Sequence, residues 1–212
     1  EALLVDERFD GEINPFEPMS RHTTYRIGGP ARYFARVHSV GALARVLEAC
    51  KAVGKKWYIV GRGSNLLVAD EGVDAAVIVL GRDFRSMRYD EEKSRLMLGA
   101  GVPLSAAVQE AFRRSLAGLE FAVGTPGSVG GALRMNAGSR DEWLGARVES
   151  VTSFSAEGGL VRRHGSEIEW GYRCSSFPAD EILVECELNM EPADPFYIRG
   201  KMEASLKRRK AT

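Results

Sequence analysis

GRGSNLLVAD, residues 61–70, follows directly on the short apolar run WYIV at 57–60. Gly61 and Gly63 let consecutive backbone N–H groups turn toward one point, and Ser64 and Asn65 add short polar side chains. Together they can form a nest for phosphate oxygens, and a pyrophosphate is the natural guest. A tight strand-to-strand turn without a ligand is the alternative reading. Leu66 stands where the dinucleotide fingerprint has its third glycine, and no Gly-Lys-Ser/Thr follows as in a P-loop. A Rossmann domain is therefore disfavoured.

Working outward, Val40, Leu43, Ala44, Leu47 and Cys50 repeat at the spacing of one helical face, and Gly54 stands as a C-terminal stop, which predicts a helix over 40–53. With strands at WYIVG and at AAVIVL (75–80), the order strand, helix, strand describes a small α/β lobe over residues 20–80. Residues 1–19 are acidic and end in NPFEPM, which reads as an N-terminal arm or short helix. A second lobe spans 81–194. RLMLGAG reads as a strand there, PLSAAVQEAFRRSL as a helix opened by Pro103, and RVESVTSFSA, GGLVRRH and EILVECELNM as short strands. PFYIRGKMEASLKRRK, within 195–212, reads as a terminal helix whose basic last turns complement its dipole.

GTPGSVGGALRMNAG, residues 124–138, is a second glycine-rich segment. Gly124, Thr125, Pro126, Gly127 and Ser128 lead into a short helix expected to start near Gly130 or Gly131, whose free N–H groups would face the loop as a second anion-binding surface. Pro126 and the apolar Val129, Leu133 and Met135 speak against a loose surface loop. Asn136, Ala137 and Gly138 are expected to end that helix and to turn backbone groups toward a flat ring system. In GYRCSSF, 171–177, Arg173 is a planar cation able to grip a carboxylate at two points, with the Tyr172 phenol beside it; a salt-bridged structural arginine is the competing reading.

The 212 residues include 44% hydrophobic and 27% charged side chains, and 29 basic residues balance 29 acidic ones. That balance gives no net field to draw nucleic acid or an anionic bilayer, so neither is an expected partner, and a polyanion must be held by a local site. Three cysteines without C-x-x-C spacing argue against a zinc or redox site and for reduced thiols in the cytoplasm; no metal is expected. Arg162, Arg163 and His164 read as the solvated face of a strand. Trp57, Trp143 and Trp170 read as core or domain-edge packing.

HTTYRIGGPA at 22–31, GRGSNLL at 61–67, GTPGSVGGALRMNAG at 124–138 and YRCSSF at 172–177 stand in the order and spacing of the UDP-N-acetylenolpyruvoylglucosamine reductases, also called UDP-N-acetylmuramate dehydrogenases, and the chain from Arg21 onward resembles that family. The resemblance implies an α+β, two-lobed FAD-binding fold of the vanillyl-alcohol-oxidase type, with a small α/β lobe and a larger, mainly antiparallel α+β lobe. It implies non-covalent FAD, its pyrophosphate held by Gly61, Arg62, Gly63, Ser64, Asn65 and Leu66 and by Gly124 through Gly131. Tyr25, Arg26 and Gly28, with Asn136, Ala137 and Gly138, match positions that line the flavin or its ribityl chain. Arg173 matches an active-site arginine facing the enolpyruvyl carboxylate, with Tyr172 as its neighbour.

In the family's reaction NADPH reduces FAD, and the enolpyruvyl double bond of a UDP-sugar, UDP-N-acetylglucosamine enolpyruvate, is reduced in turn to give UDP-N-acetylmuramate for peptidoglycan. The sequence departs from the family pattern after KRRKAT, where an S-A-G-S-x-F segment with a proton-donating serine, a substrate domain and a late glutamate are expected. On that reading the chain binds FAD without normal turnover, and apolar surface near the flavin edge would favour a homodimer. A different FAD oxidoreductase of the same fold and a stand-alone, non-catalytic flavin-binding module remain open alternatives.

Overall fold

The computed structural model describes residue 3 and residues 6–211. The parts of the expected arm at residues 1–2 and 4–5, and Thr212 at the other end, lie outside the described residues.

The first lobe is built on strand β1 (Gly11–Pro18), β2 (Pro30–Val37), helix α1 (Val40–Ala52), β3 (Trp57–Ile59) and β4 (Val73–Leu80), in a sheet of order β1-β2-β4-β3. β2, β4 and β3 run parallel and β1 closes the edge antiparallel. A parallel pair needs a crossover, which α1 provides between β2 and β3. The Ser39 hydroxyl caps α1 by accepting from the Ala42 N–H at 3.3 Å. The unbroken apolar run in β4 reflects burial on both faces. Ala76, Ile78 and Leu80 enter the main core with Leu43 and Leu47 of α1, whereas Val77 and Val79 enter a smaller cluster with Met19, Phe34 and Val60. Leu66, Val68 and Val73 cover that smaller cluster, so the segment after the first glycine loop is pinned to the sheet by its own apolar side chains.

Residues 11–18 are part of the sheet and not a separate arm. β1 pairs from Gly11↔Val37 to Pro18↔Pro30, and its side chains alternate only weakly in burial. Pro15 and Pro18 lack an N–H, which an edge strand tolerates, so backbone pairing forms β1 without an apolar pattern.

The second lobe contains β5 (Met87–Asp90), β6 (Arg95–Gly99), α2 (Leu104–Arg113), β7 (Leu116–Ala117), α3 (Val129–Arg134), β8 (Val148–Ser155), β9 (Gly159–His164), a hairpin of β10 (Trp170–Gly171) and β11 (Cys174–Ser175), β12 (Ile182–Asn189), β13 (Glu191–Pro192) and α4 (Pro195–Lys210). Its five-stranded sheet, β5-β6-β12-β8-β9, is antiparallel throughout, and β13 pairs with β7. Leu98, Leu104, Leu133 and Ile182 join Val37, Leu43 and Ile78 in one continuous core. That shared core holds the glycine loops of the two lobes side by side. No helix is long and apolar enough to cross a membrane among the described residues.

Arg163 differs from the expectation of a solvated strand face. Its guanidinium meets Glu181, which is 8% exposed, through two parallel bonds of 2.6 and 2.7 Å, and the Ser153 hydroxyl donates to the same carboxylate. Burial pushes the Glu181 carboxyl up, but the bonds from Arg163 and Ser153 overcome this and hold it below the usual carboxylate range. A depressed folded-state pKa stabilises the fold above the unfolded carboxyl pKa, and that stabilisation is lost as pH falls through the folded value. Arg163→Met would leave the buried carboxylate without its charged partner, with only the Ser153 hydroxyl bond. Urea unfolding should show a loss of about 3 kcal/mol at pH 7, narrowing as pH falls, because burial without the Arg163 bonds raises the Glu181 carboxyl of the variant and lets it protonate before that of the wild type.

Candidate flavin and carboxylate site

The loop from Gly61 to Leu66 presents six consecutive backbone N–H groups, and none donates to an acceptor among the described residues. The N–H groups of Gly127 and Ser128 are likewise without an internal acceptor. The two loops touch. A Cβ on Gly61 would stand 2.3 Å from Ser128 Oγ, and one on Gly127 would stand 3.2 Å from Ser64 Oγ. Only glycine allows this approach at position 61.

Between them lies a cleft of about 140 Å³, lined in part by Gly61, Arg62, Ser128, Gly130 and Gly131. Arg85 and Arg134 complete a set of three arginines on its wall, and no carboxylate lines it among the described residues. Arg134 lay unassigned within the second glycine segment, where its sequence gave no hint of direction. Arg85 carried no signal at all, because it reaches the cleft from a turn that only the tertiary fold brings near. The Arg134 guanidinium donates to the Phe177 and Pro178 carbonyls at 2.8 and 3.0 Å and to the Glu181 carbonyl. Burial lowers its pKa from the ordinary arginine value.

Helix α3 begins at Val129 with Ser128 as its cap, but its first N–H groups are not free as expected. Val129 donates to the Val102 carbonyl at 2.9 Å, Gly130 to Ala100 at 2.8 Å and Gly131 to Ser128 Oγ at 3.3 Å. Gly130 and Gly131 therefore border the cleft with their N–H groups already engaged, and Gly130 packs closely, since a Cβ there would stand 3.0 Å from that of Ala100. Thr125 is anchored through its N–H to the Ala122 carbonyl at 3.0 Å, and the adjacent Gly124 and Pro126 are exposed.

The segment 22–29 packs under the first loop. Thr24 donates to the Gly63 carbonyl at 3.0 Å, and the buried Thr23 hydroxyl donates to the Ile27 carbonyl at 2.8 Å. Gly28 lies 2.8 Å, measured from an added Cβ, from the Val68 side chain. Tyr25 and Arg26 are exposed at the tip of this segment and border neither cavity described here. Asn65 is exposed, while Leu66 turns inward onto the smaller core cluster.

A second cavity joins the end of the 124–138 segment to the β10–β11 hairpin. Asn136, Gly138, Trp143, Trp170, Tyr172 and Arg173 border it, with Arg140 beside them. Two of the tryptophans expected only as packing thus face this cavity, although Trp170 also packs on the core and donates to the Gly165 carbonyl at 3.0 Å. Asn136 is 6% exposed; its Nδ2 donates to the Gly171 carbonyl and its Oδ1 accepts from the Gly145 N–H, both at 2.9 Å. Ala137 is also engaged, donating to the Ala132 carbonyl and accepting from Leu144 N–H. These residues tie the hairpin to the helix end and leave few groups to turn toward a ring.

Arg173 occupies the turn of the hairpin, not a strand, with a left-handed φ of 59°. The second residue of such a two-residue turn, at positive φ, favours glycine. Its guanidinium carbon stands 5.7 Å from the Tyr172 ring centre, and it has no carboxylate partner among the described residues. Tyr172 is 76% exposed.

Residues 31–163 match the family model described as an FAD binding domain. A UDP-N-acetylenolpyruvoylglucosamine reductase from Heliobacterium modesticaldum is 42% identical over 180 residues, covering 85% of this chain and 57% of that protein. A second, from Symbiobacterium thermophilum, is 37% identical over 213 residues, covering 100% and 68%. The chain thus spans between about half and two thirds of the length of these relatives. The crystal structure of the Thermus caldophilus UDP-N-acetylenolpyruvylglucosamine reductase superposes with a TM-score of 0.81 at 34% identity, covering 95% of this chain and 70% of that one. A 6-hydroxy-D-nicotine oxidase from Arthrobacter nicotinovorans, at TM-score 0.71 and 20% identity over 89% and 44% of the two chains, shares the fold.

The turn at Arg173 predicts a trade between stability and function, since a bulky residue held at positive φ carries about 1 kcal/mol of strain or more. Arg173→Gly should stabilise the flavin-free chain by about 1 kcal/mol in denaturant unfolding. A loss of stability would show that the arginine is held there by packing.

Proposed function

This chain belongs to the UDP-N-acetylenolpyruvoylglucosamine reductase family and carries an FAD-binding domain, and on that premise we propose that it forms the cofactor half of an NADPH-dependent reductase of UDP-N-acetylglucosamine enolpyruvate, acting in the cytoplasm in peptidoglycan-precursor synthesis. The observations that carry this reading are the row of N–H groups from Gly61 to Leu66, which have no acceptor among the described residues, and the cleft entered at Gly61 and Arg62, whose lining among the described residues includes three arginines and no carboxylate. Those groups fit a diphosphate: the N–H row supplies hydrogen bonds, Gly127 and Ser128 add two more donors from the other lobe, and Arg62, Arg85 and Arg134 balance the charge. When bound, FAD supplies hydride transfer between the nicotinamide and the enolpyruvyl carbon.

Arg173 would pair with the substrate carboxylate. Its planar fork offers two parallel N–H donors, and it carries no competing acid partner among the described residues. As hydride adds to the double bond, negative charge develops toward that carboxylate, and a fixed guanidinium there lowers the barrier. The left-handed turn and the Asn136 bond to Gly171 hold the hairpin so that Arg173 and Tyr172 stay at the cavity rim.

Absorbance titration of the purified chain with FAD tests the assignment. A saturable, non-covalent complex is expected, and Gly61→Ala, whose Cβ would collide with Ser128 Oγ, should weaken it about tenfold or more. Well-folded protein that ignores FAD would refute the reading. Flavin that stayed on the chain through denaturation would favour an oxidase with a covalent cofactor instead.

A further inference from the structure

The basic end of α4 lies directly against the second glycine loop. This helix buries few side chains: Ile198 and Ser205 are buried, while Phe196 and Tyr197 are exposed. Much of its hold on the fold is therefore polar. Lys201 and Arg208 stand 3.6 and 3.7 Å from the Glu142 carboxylate, in the turn that leads to Trp143. Arg209 reaches further. Its Nη2 donates to the Phe121 carbonyl at 3.0 Å and to Thr125 Oγ1 at 2.6 Å. Leu206 closes the same contact, since a Cβ on Gly124 would stand 3.1 Å from its Cδ2.

We propose that Arg209 is a positioning residue for the diphosphate site. By holding Thr125 and the Phe121 carbonyl, it fixes the loop that sets the Gly127 and Ser128 N–H groups opposite the Gly61–Leu66 row. The inference rests on the reading that these two loops hold FAD. The loop needs such an anchor because Gly124 and Gly127 both take positive φ, 73° and 122°, and glycine segments lose the most freedom when ordered. A charged donor gives a stronger hydrogen bond than a neutral one, so one guanidinium on Thr125 restrains the loop more than a water would. Complementing the helix dipole accounts for positive charge at the end of α4, but not for a directed bond to this loop.

Flavin-fluorescence titration gives the FAD dissociation constants of the wild-type chain, Arg209→Met, Arg209→Lys, Thr125→Val and the Met/Val double variant, with thermal unfolding of each flavin-free protein alongside. Arg209→Met and Thr125→Val should each weaken FAD about tenfold. The double variant should bind no more weakly than Arg209→Met alone, because both changes remove the same bond. Arg209→Lys, which keeps a charged donor, should recover most of the affinity. Asp194→Ala serves as the structural comparison: it removes the cap at the far end of α4, where Asp194 Oδ1 accepts from Phe196 and Tyr197 at 2.8 and 3.2 Å. It should lower the unfolding temperature and leave FAD affinity unchanged. Wild-type affinity in Arg209→Met, additive losses in the double variant, or equal weakening by Asp194→Ala would overturn the proposal. Folded wild-type chain that bound no FAD would instead refute the underlying assignment of the loops, and this inference with it.

Discussion

Six neighbouring N–H groups, from Gly61 to Leu66, have no hydrogen-bond acceptor among the described residues, and the rest of the site is arranged around them. Folded proteins leave few such donors unmatched unless water or a ligand takes them. The sheet beneath dictates where they lie. β3 ends at Ile59, and Leu66, Val68 and Val73 then fasten the following segment onto the second face of the sheet, so the intervening residues form a short, tethered arch. From the other lobe Ser128 packs against Gly61, and the shared core of α1, β4, β6 and β12 keeps the two loops in contact.

The same economy of attachment governs the second cavity. Asn136 lies at the end of α3, directly after the loop that borders the cleft, yet both of its polar ends reach across to Gly171 and Gly145. One buried amide therefore links the loop region of the cleft to the hairpin that presents Tyr172 and Arg173. Removing a buried polar partner leaves the other group unsatisfied, which is why such links make geometry more than they add net stability. The left-handed Arg173 fits this picture: its conformation is unfavourable locally and is kept by a hairpin that is tied down elsewhere.

Much of this was legible in the sequence because the signals were local. The helical spacing of Val40, Leu43, Leu47 and Cys50, the apolar run 75–80 in β4 and the clustered glycines each report on their own neighbourhood. β1 was not legible, because an edge strand carrying Pro15 and Pro18 pairs through its backbone and shows little apolar alternation. The α3 N–H groups were read as free, whereas the carbonyls of Ala100 and Val102, nearly thirty residues earlier, accept two of them. Arg163 and Glu181 meet only across β9 and the turn before β12, and Arg85 and Trp143 reach their cavities through tertiary packing. In each of these cases the partner is distant in sequence, and no periodicity marks it.

In the proposed site the Gly61–Leu66 donors, and not the start of α3, receive the diphosphate. Residue-resolved amide hydrogen exchange by NMR, with and without saturating FAD, measures this directly. Ligand should slow exchange at Gly61 through Leu66 and at Gly127 and Ser128, while Val129 to Gly131, already bonded within the chain, change little. New protection confined to Val129–Gly131, with the 61–66 amides exchanging as before, would contradict the account.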